Sequence, residues 1–140
     1  MYEYACKVER VVDGDTVDVV LDLGFDILHK CRVRLYGIDT PESRTRNLDE
    51  KARGKMAGAF LKDAIDTGKK VVIQTKLKDS RGKFGRVLGN IIVDGKNINQ
   101  SMIDNYHAAA YFGQSKEAIE AVHSANRTRL IELGLFEPVK

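Results

Sequence analysis

The stretch "CKVERVVDGDTVDVVLDL", residues 6–23, alternates apolar and polar side chains on either side of a short turn. Alternation of this kind is typical of strands that bury one face. The Asp13-Gly14 pair at its centre favours a tight hairpin turn. A similar pattern recurs in "CRVRLYGI", residues 31–38. This part of the chain therefore predicts three strands in an antiparallel meander.

The period of the apolar residues changes after this meander, from that of a strand to that of a helix. Residues 49–68 predict a first helix. Its expected apolar stripe consists of Ala52, Met56, Ala59, Phe60 and Ala64. Gly54 and Gly58 lower the helix propensity of this segment, which suggests that the helix approaches the sheet closely.

Two further strands are predicted at 69–77 and 85–93, followed by a short helix near 97–106. A third helix is predicted over 115–133, with Ser115 as its N-cap and Gly134 just past its end. The apolar stripe of this helix is expected at Ala118, Val122 and Ala125.

The predicted order is three strands, one helix, two strands and two helices, with no internal repeat and no linker. Five short antiparallel strands bury their apolar faces by closing into a small barrel, and an OB-type barrel is the economical arrangement. The sequence therefore predicts a single α+β domain over residues 1–140, a five-stranded antiparallel OB-fold barrel with three α-helices.

The composition, with 43% apolar and 31% charged residues, is typical of a soluble globular domain. No apolar run approaches the roughly 20 residues needed to span a bilayer. The first ten residues lack the basic-then-apolar order of a signal peptide. Taken as a complete chain, the sequence predicts a cytoplasmic protein with no membrane contact. No feature indicates a protein partner, so we expect a monomer.

The cysteines and histidines show no spacing that indicates a metal site. Cys6 and Cys31 form no CxxC pattern, and we expect both to be reduced thiols on strands. His29, His107 and His123 are scattered along the chain, and we interpret them as structural or surface residues.

The net charge of +3 is too small to indicate a nucleic-acid partner, but the basic residues are unevenly distributed. Seven of them lie between positions 69 and 86, where Asp79 is the single acidic residue. A local basic surface attracts phosphate groups whatever the net charge is. A solvated face that keeps the protein soluble is an equally consistent interpretation.

Three acidic residues and two arginines lie close to predicted strand ends, which closure of a barrel would bring together. They are Asp15, Arg34, Asp39, Glu42 and Arg86. The carboxylates of Asp15 and Asp39, with the Thr40 carbonyl, supply the oxygen ligands that calcium prefers. An arginine presents a planar donor fork that matches a phosphate. Glu42 remains to orient or deprotonate a water molecule.

This set of groups suits metal-assisted hydrolysis of a phosphodiester. A cation and two arginines would neutralise the charge that develops on the phosphoryl oxygens. Each residue alone also has an ordinary structural explanation, because Asp-Gly is usually a turn and Thr-Pro-Glu is often a loop entry. The combination and its order along the chain carry the hypothesis.

Three motifs in that order, "VVDGDTV" at 11–17, "RLYGIDTPE" at 34–42 and "KFGRVLG" at 83–89, resemble the staphylococcal nuclease (thermonuclease) family. The resemblance extends roughly from Tyr4 to Gly134. It implies an OB-fold barrel with three helices that hydrolyses DNA and RNA with calcium and leaves 3′-phosphate products. The absence of a secretion signal differs from the secreted members of the family.

The resemblance also implies roles for individual residues. Asp15, Asp39 and the Thr40 carbonyl would ligate the metal, and Glu42 would act on the attacking water. Arg34 and Arg86 would bind the scissile phosphate. Lys83 and Tyr111 match positions that contact the terminal phosphate and the base of a nucleotide.

Two other functional classes are compatible with a small OB barrel. Such barrels commonly bind nucleic acid by stacking and charge without cutting it. A pure binding module has no evident need for the acid at Glu42, and a calcium-binding structural domain would not require the arginines. The sequence therefore favours a nuclease over both alternatives.

Overall fold

The computed structural model describes residues 2–75 and 87–139. In chain order, the elements of these ranges are β1 (Tyr2–Asp13), β2 (Thr16–Asp22), β3 (Leu28–Leu35), β4 (Ile38–Asp39), α1 (Leu48–Asp66), β5 (Val71–Thr75), β6 (Val87–Val93), β7 (Lys96–Asn97), α2 (Ile98–Asp104), β8 (Ala109–Ala110) and α3 (Lys116–Glu132). The three predicted helices and five long strands are all present at the expected places.

Five of the strands form a closed barrel in the order β3-β2-β1-β5-β6, with β3 and β6 joined across the gap. Four of the pairings are antiparallel. The closing pair is parallel, with Val33 opposite Val87 and Leu35 opposite Gly89. The predicted OB-type α+β barrel is thus confirmed with one correction to its antiparallel description. Strand directions that alternate around a ring cannot close on an odd number of strands, so one neighbouring pair must be parallel.

The barrel interior is filled by alternate residues of its strands. On β2, Val17 and Val19 are fully buried and Leu21 is 3% exposed, while Asp18 and Val20 between them are only half-buried. Slipping the register by one residue would expose this apolar set, so the alternation specifies how β2 pairs with its neighbours. The pairing of β2 with β3 is what later places two site residues side by side.

Helix α1 covers the barrel with a face that only partly matches the expected one, because Phe60 and Ala64 of the predicted stripe pack against the core. Its buried residues are Gly54, Ala57 and Leu61, whereas Ala59 of the predicted stripe is exposed. A Cβ at position 54 would lie 2.7 Å from the carbonyl oxygens of Pro41 and Glu42. The expected close approach is therefore present, to the segment after β4. An apolar stripe in the sequence cannot indicate this contact, because the contact depends on the absence of a side chain at Gly54.

Helix α3 also turns an unexpected face inward. Ser115 caps it as predicted by accepting a hydrogen bond from the Ala118 N–H at 3.1 Å. The predicted apolar stripe is wrong, since Ala118, Val122 and Ala125 are all exposed. The residues that are at least half-buried are Ile119, His123, Asn126, Arg127, Leu130 and Ile131. Three of these six are polar because α3 packs on hydrogen-bonding groups, so its buried side does not follow the apolar period.

The two cysteines are free in the structure. Cys6 lies opposite Leu21 on β2, and Cys31 lies opposite Val19 on the other side of the same strand. An intervening strand therefore separates the thiols. Burial, and secondarily the nearby Cys31, raises the pKa of the Cys6 thiol to about 11.

Across the described ranges, no helix combines the length and the hydropathy that crossing a membrane would need.

Candidate active site

The pairing of β2 with β3 places Asp15 beside Arg34. Thr16, the first residue of β2, lies opposite Arg34 in the ladder. The Leu35 N–H donates to the Asp15 carbonyl at 2.7 Å, which fixes the turn against β3. Arg34 Nη1 then lies 3.3 Å from Asp15 Oδ2. A predicted metal ligand and a predicted phosphate-binding arginine are thus in contact through strand register.

The short strand β4 brings Asp39 and Thr40 to the same place. Asp39 is held opposite Ala109 of β8, and Arg34 Nη2 lies 3.9 Å from Asp39 Oδ1. The buried Thr40 donates its N–H to Asp15 Oδ2 at 3.4 Å. The guanidinium of Arg34 therefore lies within 3.9 Å of the carboxylates of both Asp15 and Asp39.

Glu42 completes the cluster from the segment between β4 and α1. Its N–H donates to Glu50 Oε2 at 3.1 Å, which ties this segment to the first turn of α1. Loss of hydration in the cleft raises the pKa of the Glu42 carboxyl, and further acids add to the shift. In order of effect these are Asp15, Asp13, Asp39 and Glu50. Glu42 nevertheless remains exposed at the cleft surface, so water has access to this unusually basic carboxylate.

The donor set suits a hard cation that also takes ligands from outside the protein. Within residues 2–75 and 87–139, no three His, Cys, Asp or Glu side chains converge closely enough to hold a metal by themselves. Asp15 and Asp39 offer carboxylate oxygens, and a main-chain carbonyl such as that of Thr40 would have to join them. Calcium accepts such mixed oxygen shells and fills the remaining positions with water or substrate oxygens. A cation here would also offset the repulsion that raises the Glu42 pKa.

Two cavities open beside this cluster. One, of about 510 Å³, lies between the acidic cluster and α3 and includes Asp39, Glu42 and His123 in its walls. The other, of about 590 Å³, extends from Arg34 over a mostly apolar surface that includes Tyr36 and the exposed Phe112. Tyr111 lines both cavities, and its N–H donates to the Gly37 carbonyl at 2.7 Å. The predicted nucleotide-contacting tyrosine thus lies at the boundary between the acidic cluster and an apolar cavity.

Two predicted site residues, Lys83 and Arg86, lie outside the described residues. The first described residue after them is Val87, which is paired with Val33. The structure therefore brings together Asp15, Arg34, Asp39, Thr40 and Glu42, with Tyr111 at the cleft edge.

His123 is a site residue that the sequence interpretation missed. Its Nε2 lies 2.8 Å from Asp39 Oδ2, and only 15% of its side chain is exposed. No spacing in the sequence indicates this contact, because the two residues are 84 positions apart. The available signal was its helical spacing from Ile119 and Leu130, which are also on the inward face of α3.

A model of the family described as staphylococcal nuclease homologue matches residues 32–130 of this chain. The chain is also similar to three named endonucleases of Bacillus subtilis (strain 168). Endonuclease YhcR is 32% identical over 116 residues, which cover 79% of this chain and 9% of that protein. The SPbeta prophage-derived endonuclease YokF is 33% identical over 95 residues, covering 68% of this chain and 30% of that protein. Endonuclease YncB is 30% identical over 95 residues, covering 68% and 42%.

The chain thus spans less than half the length of each of these relatives. The region that the family model matches includes the second half of β3, β4, α1, α2 and most of α3, and with them Arg34, Asp39, Glu42 and His123. Since that region is more than half of the chain and the fold agrees with the sequence motifs, the chain belongs to the staphylococcal nuclease homologue family.

Proposed function

We propose that this protein is a calcium-dependent nuclease that hydrolyses phosphodiester bonds of DNA and RNA and leaves 3′-phosphate products. The observation that carries the proposal is the contact of one guanidinium, Arg34, with both Asp15 and Asp39, next to the basic carboxylate of Glu42. The endonuclease names of the Bacillus relatives support the same class of reaction.

In this proposal the residues of the site have two roles. Some compensate the negative charge of the phosphate, and another removes a proton from the attacking water. Asp15, Asp39 and the Thr40 carbonyl would hold calcium, which would polarise the scissile phosphate when bound. Arg34 donates to phosphoryl oxygens, where its planar fork forms two parallel hydrogen bonds. Its present contacts with the two carboxylates orient it for that purpose.

Glu42 acts on the attacking water in the same proposal. It orients the water or accepts its proton, and a raised pKa makes its carboxylate a stronger base near neutral pH. The water oxygen then forms a bond to phosphorus as the bond from phosphorus to the 5′ oxygen breaks, and the leaving 5′ oxygen takes a proton from solvent water to become a hydroxyl. This direction of cleavage leaves the phosphate on the 3′ side.

The apolar cavity next to Arg34 would receive a nucleotide base. Tyr36, Tyr111 and Phe112 line it, and each is at least 40% exposed. Aromatic rings accept any base by stacking, at about 1–3 kcal/mol per base. We therefore expect the enzyme to prefer single-stranded or locally opened nucleic acid, whose bases are free to stack.

The first test is cleavage of end-labelled single-stranded DNA and RNA with calcium, with magnesium or with excess chelator. We expect cleavage with calcium and none with chelator, while circular dichroism shows the fold unchanged. Removal of the terminal phosphate by a 3′-phosphatase should retard the labelled products on a gel. Robust cleavage in chelator, or products with 3′-hydroxyl ends, would contradict the proposal.

A matched pair of variants separates a nuclease from a binding module. Arg34→Lys keeps the charge but loses the planar fork, so the cleavage rate should fall by on the order of 10²-fold. Arg32→Lys is the control, since Arg32 lies on the same strand but pairs with the half-buried Asp18 at 2.8 Å, away from the cleft. Equal cleavage by both variants would remove Arg34 from the reaction, whereas a wild type that binds nucleic acid without cleaving it would favour a binding module. Arg86→Lys should behave like Arg34→Lys, because the sequence resemblance implies the same phosphate-binding role for Arg86.

A further inference from the structure

We propose that His123 is a positioning residue that orients the Asp39 carboxylate for metal binding and thereby couples α3 to the metal site. The inference rests on the proposed function, because it assigns a role toward the metal that Asp39 would ligate. The hydrogen bond between His123 Nε2 and Asp39 Oδ2, at 2.8 Å, is the shorter of the two polar contacts described for Asp39.

Helix α3 is attached to the protein immediately after His123, which fixes where the imidazole lies. Asn126 donates its side-chain N–H to the Ala108 carbonyl at 3.1 Å, at the start of the segment that forms β8. Arg127 binds both oxygens of Asp49 on α1, at 3.0 and 3.1 Å. Because β8 pairs with β4, the same contacts that hold α3 also hold the strand that carries Asp39.

The hydrogen bond divides the two oxygens of Asp39 between two tasks. Oδ2 accepts from His123, and Oδ1 faces Arg34 at 3.9 Å, on the side where Asp15 lies. An ionised carboxylate only accepts hydrogen bonds, so Nε2 of His123 must carry the hydrogen. The ring thus restricts rotation of the carboxylate and leaves Oδ1 directed toward the predicted cation.

The same geometry argues against Nε2 of His123 as a metal ligand. A ring nitrogen that donates to Asp39 has no lone pair to offer a cation. Partners of ligating side chains restrict ligand orientation, and removing one typically weakens metal binding or activity by about 10–100-fold. The ring N–H of His123 fits this role, because the contacts of Asn126 and Arg127 hold α3 in place.

Two substitutions separate the N–H from the ring that carries it. His123→Phe keeps an aromatic ring of similar size without a donor, whereas His123→Gln keeps a donor without the ring. His29→Ala is the control for loss of a histidine, because His29 is exposed and lies away from the cleft on β3. Calcium chloride is titrated into each protein by calorimetry, and the calcium concentration for half-maximal cleavage is measured separately.

We expect His123→Phe to raise the calcium Kd by about 10–100-fold, with the half-saturating calcium for cleavage rising in parallel and KM for nucleic acid nearly unchanged. His123→Gln should stay within a few-fold of the wild type, and His29→Ala should not differ from it. The opposite order, with Phe tolerated and Gln impaired, would show that the ring serves packing and would overturn the inference. A wild type that neither binds calcium nor cleaves with it would instead refute the proposed function.

Discussion

Asp39 and Asp49 both face α3, yet the surroundings of Asp39, the proposed metal ligand, differ from those of Asp49, which holds two helices together. Asp49 receives hydrogen bonds from Arg53, from Arg127 and from the Val139 N–H, at 3.0 to 3.4 Å. Within the described ranges, Asp39 has one close side-chain donor, His123, and a more distant arginine at 3.9 Å. Its side chain is 34% exposed, against 18% for Asp49.

The difference in hydrogen-bond partners and exposure matches the roles proposed for the two carboxylates. Hydrogen bonds from Arg127 and then Arg53 lower the pKa of Asp49, despite the opposing effect of burial. The oxygen atoms of Asp49 already accept several hydrogen bonds. Asp49 therefore joins the start of α1 to α3 and has little capacity left to bind a ligand. Asp39 keeps one oxygen that accepts no close hydrogen bond from the described residues, and a metal site requires such a carboxylate oxygen.

The largest effect should come from Asp39→Asn. Loss of the charge removes one of the two carboxylates available to the cation, so we expect the cleavage rate to fall by at least on the order of 10²-fold. The free energy of unfolding should change by less than about 1 kcal/mol, because Asp39 has few protein partners. Single-turnover cleavage and urea denaturation measure the two quantities. A variant that is unstable but cleaves normally would reverse the assignment of the two carboxylates.

Gly54→Ala should produce an intermediate effect on both quantities. The new Cβ would lie 2.7 Å from the backbone of Pro41 and Glu42, so α1 must move away from the segment that carries Glu42. We expect a destabilisation of about 1–3 kcal/mol and a several-fold slower cleavage reaction. Gly58→Ala is the control, because its nearest contact would be the Gly14 nitrogen at 3.9 Å. That variant should gain roughly 0.5–1 kcal/mol from helix propensity, and equal responses at the two glycines would contradict the packing argument.

Asp49→Asn should affect stability and leave the chemistry intact. The amide would direct its own N–H group toward N–H groups that donate hydrogen bonds to Asp49 in the wild type. The free energy of unfolding should therefore fall by about 1–3 kcal/mol. Cleavage per folded molecule should remain within a few-fold of wild type. A loss of activity as large as that of Asp39→Asn, in fully folded protein, would show that the two clusters act as one unit.

The pH dependence of the same pair of proteins provides the smallest and most specific test. The folded-state pKa of Asp49 is lower than its unfolded value, so its ionisation stabilises the protein above an ordinary aspartate pKa of about 3.9. That stability is lost as the pH falls through the lower folded-state value. The difference in unfolding free energy between wild type and Asp49→Asn should therefore be constant near neutral pH and shrink in acid. A difference that grows on acidification would have the wrong sign for this carboxylate.

Much of the fold and of the cleft is predictable because the relevant interactions are local or follow strand register. Alternation along β2 and β3 predicts which residues fill the barrel, and Ser115 predicts where α3 begins. The acids and arginines at strand ends are recognisable by residue type and order. The parallel closing pair is less apparent, although it follows from the odd number of strands once the barrel is assumed.

The inward face of α3 could not be predicted in the same way. Periodicity identifies a buried face only where the covering surface is apolar, and α3 instead lies on the Ala108 carbonyl, on Asp49 and on Asp39. Ala118 and Val122 therefore face solvent, while His123 and Arg127 face the protein. The amino-acid sequence alone was enough to predict the barrel and to nominate the acids and Arg34 of the cleft. Only the tertiary structure placed His123 beside Asp39, because their contact depends on the docking of a helix through polar groups far apart in the chain.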